Sequence, residues 1–349
     1  MQRVLRLRGD QERRRFFVGV AVDASCTTTT AAIVAASGRG LEARFELASH
    51  VVESVPREVT ALFDRLSGRG DDASNERTRS IRPTDAAVLA AELAEVQAEA
   101  IIRLAAIESD AWPRVLLAGV TDPGLWRSDV GPPDYLGLCD AARLAELTQL
   151  NIVDAIPARD VAQGGRGEPL DAVPLWLLLH DPRANRLLWQ TSPSPRAVYL
   201  PASRDESGAS QVQLFKLKNE SDLWPWLSSV LESTEENARS DTSQRRRPKL
   251  SIDELLFFAK SSPPADRLNI TVLDETMLGV AAEGIPAACA ALLAMLHIDQ
   301  VPGNIPMLTG AAAPRVLGRL TPGNAHCWNR LLRDLAFARP LITPLRAAV

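Results

Sequence analysis

The stretch DVAQGGRGEPLDAV, residues 160–173, sets an aspartate ahead of three glycines, Gly164, Gly165 and Gly167. Glycine reaches positive φ and lets main chain approach a neighbour closely, at a cost in folding entropy. Such a turn serves either as a flexible hinge or as a place where backbone must lie against a ligand. Asp160 has two matching roles. It can take a proton from water or a hydroxyl as a general base, or it can be structural, capping the helix-like turn VAQGG or pairing with Arg159. A second stretch, VDASCTTTTAAIV at 22–34, sets Asp23 before small residues and a run of hydroxyls, between two apolar segments. A strand, turn and strand of this composition can wrap a terminal phosphate with backbone N–H groups, its acidic residue acting through a metal-bound water. Thr27 to Thr30 can equally be the edge of a β-rich strand. Ala24, Ser25 and Cys26 fill the turn where glycine normally meets phosphate, and their side chains obstruct close approach.

Other chemistries have no matching pattern. The cysteines Cys26, Cys139, Cys289 and Cys327 are widely spaced and form no CxxC pair, which points to reduced, mostly buried thiols. The histidines His50, His180, His297 and His326 show no metal-ligand spacing, so no metal site is expected. A chain of 349 residues with 46% hydrophobic and 23% charged residues can bury two full cores. Its net charge of -4 lacks the basic excess of a nucleic-acid binder. The start MQRVLRLRGDQERRR has no apolar core of a signal peptide, and VPLWLLLH is too short to span a membrane. The expectation is a cytoplasmic protein without nucleic-acid or membrane partners.

The elements that must position these residues fall into two similar halves. FFVGVAVDA (16–24), TAAIVAAS (30–37) and LEARFELASHVVE (41–53) read as a meander of three strands, followed by a short helix near 56–66. The Gly- and Arg-rich stretch 67–83 reads as an exposed loop. Thr84 then caps a long helix whose apolar stripe is Leu89, Leu93, Val96, Ala100, Leu104 and Ile107, with Glu92, Glu95 and Glu99 facing outward. Buried-type strands follow at 114–121 and 150–156, with a helix near 140–148 between them. The second half repeats the opening, with strands at 185–192, 196–203 and 211–219. A helix over about 222–233 carries Trp224 and Trp226, and after the charged segment 233–249 come a strand at 269–275 and a helix near 284–297. The repeat predicts a duplicated α/β architecture, two lobes with a cleft near residue 182. Ligands in α/β folds gather at the carboxyl ends of strands, and Asp160 follows the strand at 150–156.

Taken in order, these pieces resemble the anhydro-N-acetylmuramic acid kinases. IVDAIPARDVAQGGRGEPL is similar to that family's DFRxxDxAxGGQGAPL, and LGLCDAARLAELTQLNIV before it to QxGDPAxIAExTGxxVV. EGIPAACAALLAMLHIDQVPGNIPMLTGAAAPRVLGRLTPG resembles a stretch ending in NLPxVTGAxxPxxLGxIxPG, and GVAVDASCTTTTAAIV aligns without gaps to GLMSGTSLDGVDAALV. The resemblance implies a two-lobed fold of the actin and sugar-kinase type, here an N-terminal lobe 1–182 and a C-terminal lobe 183–349. It implies ATP and Mg²⁺ as cofactors and an amino sugar as substrate. In the family, water attacks the anomeric carbon of the 1,6-anhydro sugar while O6 takes the γ-phosphoryl group, in the recycling of cell-wall material. Asp160 falls on the catalytic aspartate, Gly164, Gly165 and Gly167 on the substrate-side turn, and Asp23, Ser25 and Thr27 on the phosphate loop. A homodimer is part of the same expectation.

The departures from the family's pattern concentrate on the nucleotide side. Its phosphate-loop Gly is Asp23, the following Thr is Ala24, and its Asp-Gly pair is Thr27 and Thr28; only Ser25 is retained. The family's HGQT is absent near GVTDPGLW (119–126). In the central motif Pro157 replaces Arg, Arg166 replaces Gln and Glu168 replaces Ala. The second half contains no NxGGxxN, GPGN or GGG. Three readings follow: a working divergent kinase, a catalytically silent sugar-binding module, and an interaction protein that pairs with an intact relative.

Overall fold

A computed structural model describes residues 14–69, 82–127, 133–191, 195–203, 207–236, 250–257 and 270–336. The expected loops at 67–83 and 233–249 lie largely outside the described residues. The chain opens with β1 (Arg15–Val22), β2 (Thr28–Ser37) and β3 (Arg44–Ser54), a continuous antiparallel meander. Helices α1 (Arg57–Ser67) and α2 (Pro83–Ile107) lead to β4 (Val115–Thr121) and a small hairpin, β5 (Leu125–Arg127) with β6 (Asp134–Leu136). Then come α3 (Ala141–Thr148), β7 (Ile152–Asp154), the one-turn α4 (Ala158–Val161) and α5 (Ala172–Leu179).

A second meander consists of β8 (Arg186–Gln190), β9 (Arg196–Leu200) and, after the short α6 (Ser207–Ser210), β10 (Gln213–Lys216). Helix α7 (Leu223–Glu236), β11 (Glu254–Phe257) and β12 (Thr271–Leu273) complete this half. The chain finishes with α8 (Glu275–Leu278), α9 (Ile285–Ile298), α10 (Pro306–Thr309), β13 (Arg319–Thr321) and α11 (Ala325–Ala336).

The two meanders belong to separate sheets, ordered β13-β7-β4-β1-β2-β3 and β10-β9-β8-β11-β12. Apart from β13 they follow one plan. In each, the first strand of the meander is flanked on its free side by a parallel strand, and that strand by another parallel one.

Alternation along the strands divides the first sheet between two helices. Val18, Val20, Ile33 and Ala35 pack with Ala94, Ala98 and Ile101 of α2. Phe17, Val34, Leu117 and Val153 pack on the other face with α9, in a cluster that also takes in Leu188, Val198 and Leu256 of the second sheet. Helix α9 is apolar almost all round because it is enclosed on nearly every side. It lies unusually close to the sheet. A Cβ on Gly19 would come within 1.7 Å of the Ala287 carbonyl oxygen, and one on Gly119 within 2.1 Å of that of Ala290. These two glycines face each other across the β1–β4 ladder, so the helix backbone rests on a strip of sheet without side chains.

Two expectations about α2 need correction. The helix begins before Thr84: Arg82 is the N-cap residue, Pro83 occupies the first turn, and the Asp85 carboxylate accepts from the Arg82 N–H at 3.0 Å. Proline suits that place because its missing N–H would have had no helical acceptor. Ile107 does not belong to the buried stripe. It is 61% exposed in the last turn, whereas Leu89, Leu93, Ala100 and Leu104 are fully buried.

Candidate functional site

Because β1, β4 and β7 are adjacent and parallel, their carboxyl ends share one edge of the first sheet. Asp23 follows β1, Asp122 follows β4, and Asp154 ends β7 with Asp160 six residues beyond. This is the edge where open α/β sheets take their ligands.

Asp160 sits in α4 with no exposed surface. Its Oδ1 accepts from Asn304 Nδ2 at 2.6 Å and from Thr309 Oγ1 at 2.8 Å, and its Oδ2 accepts from the Gly167 N–H at 2.9 Å. A carboxylate has about four lone-pair positions; among the described residues, three are used and one on Oδ2 is left. The main chain continues the clasp. Arg166 N–H donates to the Thr309 carbonyl at 2.9 Å and Ala312 N–H to that of Gln163 at 3.0 Å, while Arg315 N–H donates to Asn304 Oδ1 at 2.6 Å. The central and C-terminal stretches, 144 to 149 residues apart in sequence, thus meet on a single buried carboxylate. A buried charge is tolerated when its lone pairs are met in this way. Arg159 does not pair with Asp160; its Nη1 reaches the Val316 carbonyl at 3.4 Å.

The three glycines of the turn have different reasons. A Cβ on Gly165 would stand 2.1 Å from Asp160 Oδ2, so the carboxylate itself excludes a side chain there. Gly167 has φ +70°, and a Cβ on it would meet Trp126 Cη2 at 2.5 Å. Gly164 has φ +79° and nothing within 4 Å of where a Cβ would lie. Two glycines therefore answer to neighbours inside the protein, and Gly164 is the open one.

The turn between β1 and β2 closes on its own aspartate. Asp23 Oδ1 accepts from the N–H groups of Thr27 at 2.7 Å and Thr28 at 2.5 Å. Its Oδ2 accepts from the Ser25 N–H at 3.2 Å, from the Ser25 hydroxyl, and from Thr27 Oγ1 at 3.1 Å. Burial pushes the carboxyl upward in pKa, but these hydrogen bonds outweigh it and hold Asp23 below the ordinary aspartate value. The structure brings Asp23, Ser25 and Thr27 together, with the carboxylate where an outside anion would otherwise meet the N–H groups. Cys26 turns inward at φ +55°, packed with Val22, Val55 and Phe63. Its thiol is pushed up to about 12, chiefly by burial.

Asp122 is a residue the sequence reasoning passed over. It accepts from the Gly124 N–H at 2.8 Å, the Leu138 N–H at 3.0 Å and the Tyr135 hydroxyl at 3.2 Å. Burial raises its carboxyl above the ordinary value despite these donors. Tyr135 in turn lies 4.7 Å, centroid to centroid, from the indole of Trp126, whose far edge rests on Gly167. A continuous set of contacts therefore runs from Asp122 through the β5–β6 hairpin to the Asp160 turn. Its signal in the sequence was an aspartate directly after the strand at 114–121. The strand-end rule selects it as readily as Asp160. Asp154, 2% exposed, is held by Arg319 through Nη2 at 2.5 Å and Nε at 3.1 Å.

Among the described residues no three of His, Cys, Asp and Glu stand together as metal ligands, and no helix is long and apolar enough to cross a membrane. No family model matches the chain. It is 25% identical to an anhydro-N-acetylmuramic acid kinase of Nitrosospira multiformis, over 68% of its own length and 83% of the relative's.

Proposed function

We propose that this protein is a divergent relative of the anhydro-N-acetylmuramic acid kinases which binds an amino sugar of that class and whose nucleotide side is closed. The architecture we infer is two lobes, 1–182 and 183–349, of a duplicated RNase H-like, actin and sugar-kinase type. The shared strand order of the two sheets supports it. So does the similarity to the Nitrosospira multiformis kinase. On this reading the sugar lies against Gly164 and its neighbours on the first lobe, in the cytoplasm, and no nucleic acid or membrane is involved.

The observation that carries the closed nucleotide side is the Asp23 carboxylate on the N–H groups of Ser25, Thr27 and Thr28. Phosphoryl transfer depends on positioning and electrostatics almost alone. Here the donors that would hold a phosphate already hold an internal anion. A triphosphate brought to the same turn would set like charges a few ångströms apart. The turn therefore does not fit ATP. Calorimetric titration with ATP, with and without Mg²⁺, tests this, and no binding is expected in the micromolar range. A micromolar Kd, worth about 8 kcal/mol, would overturn it.

One observation favours the working enzyme instead. Asp160 keeps an unused acceptor position on Oδ2 that suits a general base; because the carboxylate is fully buried, the turn must open before attacking water can reach it. The activity would be ATP- and Mg²⁺-dependent hydrolytic opening and 6-phosphorylation of 1,6-anhydro-N-acetylmuramic acid. Appearance of the ring-opened sugar 6-phosphate, detected by mass, selects this reading.

A further inference from the structure

Among the described residues the strands of the β5–β6 hairpin pair only with each other and join neither larger sheet. A two-stranded ribbon has little stability of its own, so what it rests on decides where it sits. On one face Leu125 packs against the cluster of Val22, Phe63 and Leu89, while Leu136, opposite it across the ribbon, is 55% exposed. The other face carries Trp126 and Tyr135. The edge of the Trp126 ring covers Gly167, where a Cβ would stand 2.5 Å from Cη2. The Gly167 N–H in turn donates to Asp160 Oδ2, the oxygen with the open acceptor position. The hairpin thus bears on the residue that bounds the free side of the buried carboxylate.

Both ends of the ribbon are tied to one side chain. Asp122 Oδ1 accepts from the Gly124 N–H at 2.8 Å, just before β5, and from the Leu138 N–H at 3.0 Å, just after β6. Its Oδ2 lies 3.2 Å from the Tyr135 hydroxyl oxygen. Main-chain N–H groups can only donate, so Oδ1 serves as acceptor whether or not the group is ionised. The contact with Tyr135 can reverse: a carboxylate accepts the phenolic hydrogen, and a carboxylic acid gives its own to the phenolic oxygen. All three contacts therefore survive protonation of Asp122. They do not offset the cost of its charge, since burial raises the carboxyl above the ordinary aspartate value and Asp154 adds to the rise. The other titratable groups facing it are Tyr135, Cys139 and Cys26, each pushed up chiefly by burial. Asp154 itself is held by Arg319.

We propose that the β5–β6 hairpin is a lid over the Asp160 turn, latched at its base by Asp122 and closed on Gly167 by Trp126. The sign of its response to pH follows from linkage. Opening returns Asp122 to water and to an ordinary pKa, whereas the closed state holds the proton more tightly. Acid therefore closes the lid and rising pH opens it. The opening equilibrium grows about tenfold for each pH unit between the ordinary aspartate value and the raised one. The lid governs access to Asp160 whatever the ligand, so it stands independently of the amino-sugar reading.

The test uses the full chain without ligand, labelled with fluorotryptophan and followed by fluorine NMR. The Trp126 resonance is the one missing from Trp126→Phe. From pH ~4 to pH ~8 it should move toward the position of a solvated indole. Amide exchange should lose protection together at Gly124, Leu138 and Gly167, by about tenfold or more once the intrinsic pH dependence is divided out. Asp122→Asn keeps the three contacts, its NH₂ donating to Tyr135, and should hold the resonance at its low-pH position throughout. Tyr135→Phe lacks the phenolic partner and should give a more open position at every pH. A Trp126 resonance that ignores pH in the parent, or that responds equally in Asp122→Asn, overturns the latch. Protection lost at Gly124 and Leu138 but kept at Gly167 overturns the lid. The parent's response decides the matter even if a variant fails to fold.

Discussion

Replacing Asp160 by asparagine separates folding from chemistry at the centre of the site. The side chain keeps its shape, but one oxygen becomes an NH₂ group. With its carbonyl in the place of Oδ1, asparagine still accepts from Asn304 and Thr309, now as a neutral group. Its NH₂ then points at the Gly167 N–H, donor against donor. A main-chain donor left unpaired in a buried place costs about 1–3 kcal/mol. Turning two charge-assisted hydrogen bonds into neutral ones costs about 1 kcal/mol each. The sum is about 3–5 kcal/mol, a large part of the about 5–15 kcal/mol that a domain of ordinary stability has. Urea unfolding followed by circular dichroism reads this loss as a shift in midpoint at unchanged slope. Hydrogen exchange should localise it to Gly167 and the 303–316 segment. A loss under about 1 kcal/mol at unchanged slope would refute the clasp as a stabilising unit. The same protein serves the working-enzyme reading. A chain starting at about 8 kcal/mol would keep about 4, leaving about 0.1% unfolded. Any fall in turnover by about two to four orders of magnitude would then be the loss of the base, since unfolding could not supply it.

Two further outcomes follow from the geometry. Gly119→Ala would drive a methyl group to 2.1 Å from the Ala290 carbonyl oxygen and push α9 off the sheet; a destabilisation of about 3 kcal/mol or more is expected in urea, and one under about 1 kcal/mol would show that α9 can shift freely. Asp122 has a folded-state pKa above its unfolded value, because burial disfavours the charge. Between those two values the folded chain binds the extra proton, so the contribution of Asp122 to stability falls as pH rises past the ordinary aspartate value. Asp122→Asn removes that dependence, and its stability relative to the parent should improve from pH ~4 to pH ~7; a constant difference across that range contradicts the assignment.

Much of the first sheet was legible because burial leaves a periodic trace. The meander at 16–53 alternates between two helices, and α2 shows its stripe at spacings of three and four. What escaped was carried by context. The strand β11 is four residues long, Glu254–Phe257. It acquires its identity from β8 on one side and β12 on the other, and no window that short distinguishes it from buried helix. Strand β13 is likewise defined by its partner β7. The helix start at Arg82 was missed because a hydroxyl at Thr84 resembles a cap, whereas Pro83 and Asp85 together suit a start two residues earlier. At the site, Asp160 and the glycines were visible as a pattern. Their neighbours were not, since Asn304 and Thr309 come from 144 and 149 residues away. Nor could composition indicate that Asp23 would turn onto the N–H groups of its own hairpin.

Two of the stretches that carry the resemblance, around Asp160 and around 303–315, are the two sides of one clasp. Asp160 holds Asn304 and Thr309, and Gly165 is small because the carboxylate lies against it. If either side changed, the other would be left with buried, unpaired donors or an unmatched charge, each costing on the order of a few kcal/mol. The pair therefore counts as one constraint, and a folding constraint suffices to account for it. A chain that had given up phosphoryl transfer would still need Asp160, Asn304, Thr309 and Gly165 in place. The β1–β2 turn carries no such obligation. There the loop fills its own donors, with five hydrogen bonds to Asp23. The residue that discriminates between an enzyme and a binding protein is accordingly Asp23, where function and folding make different demands. Asp160 satisfies both.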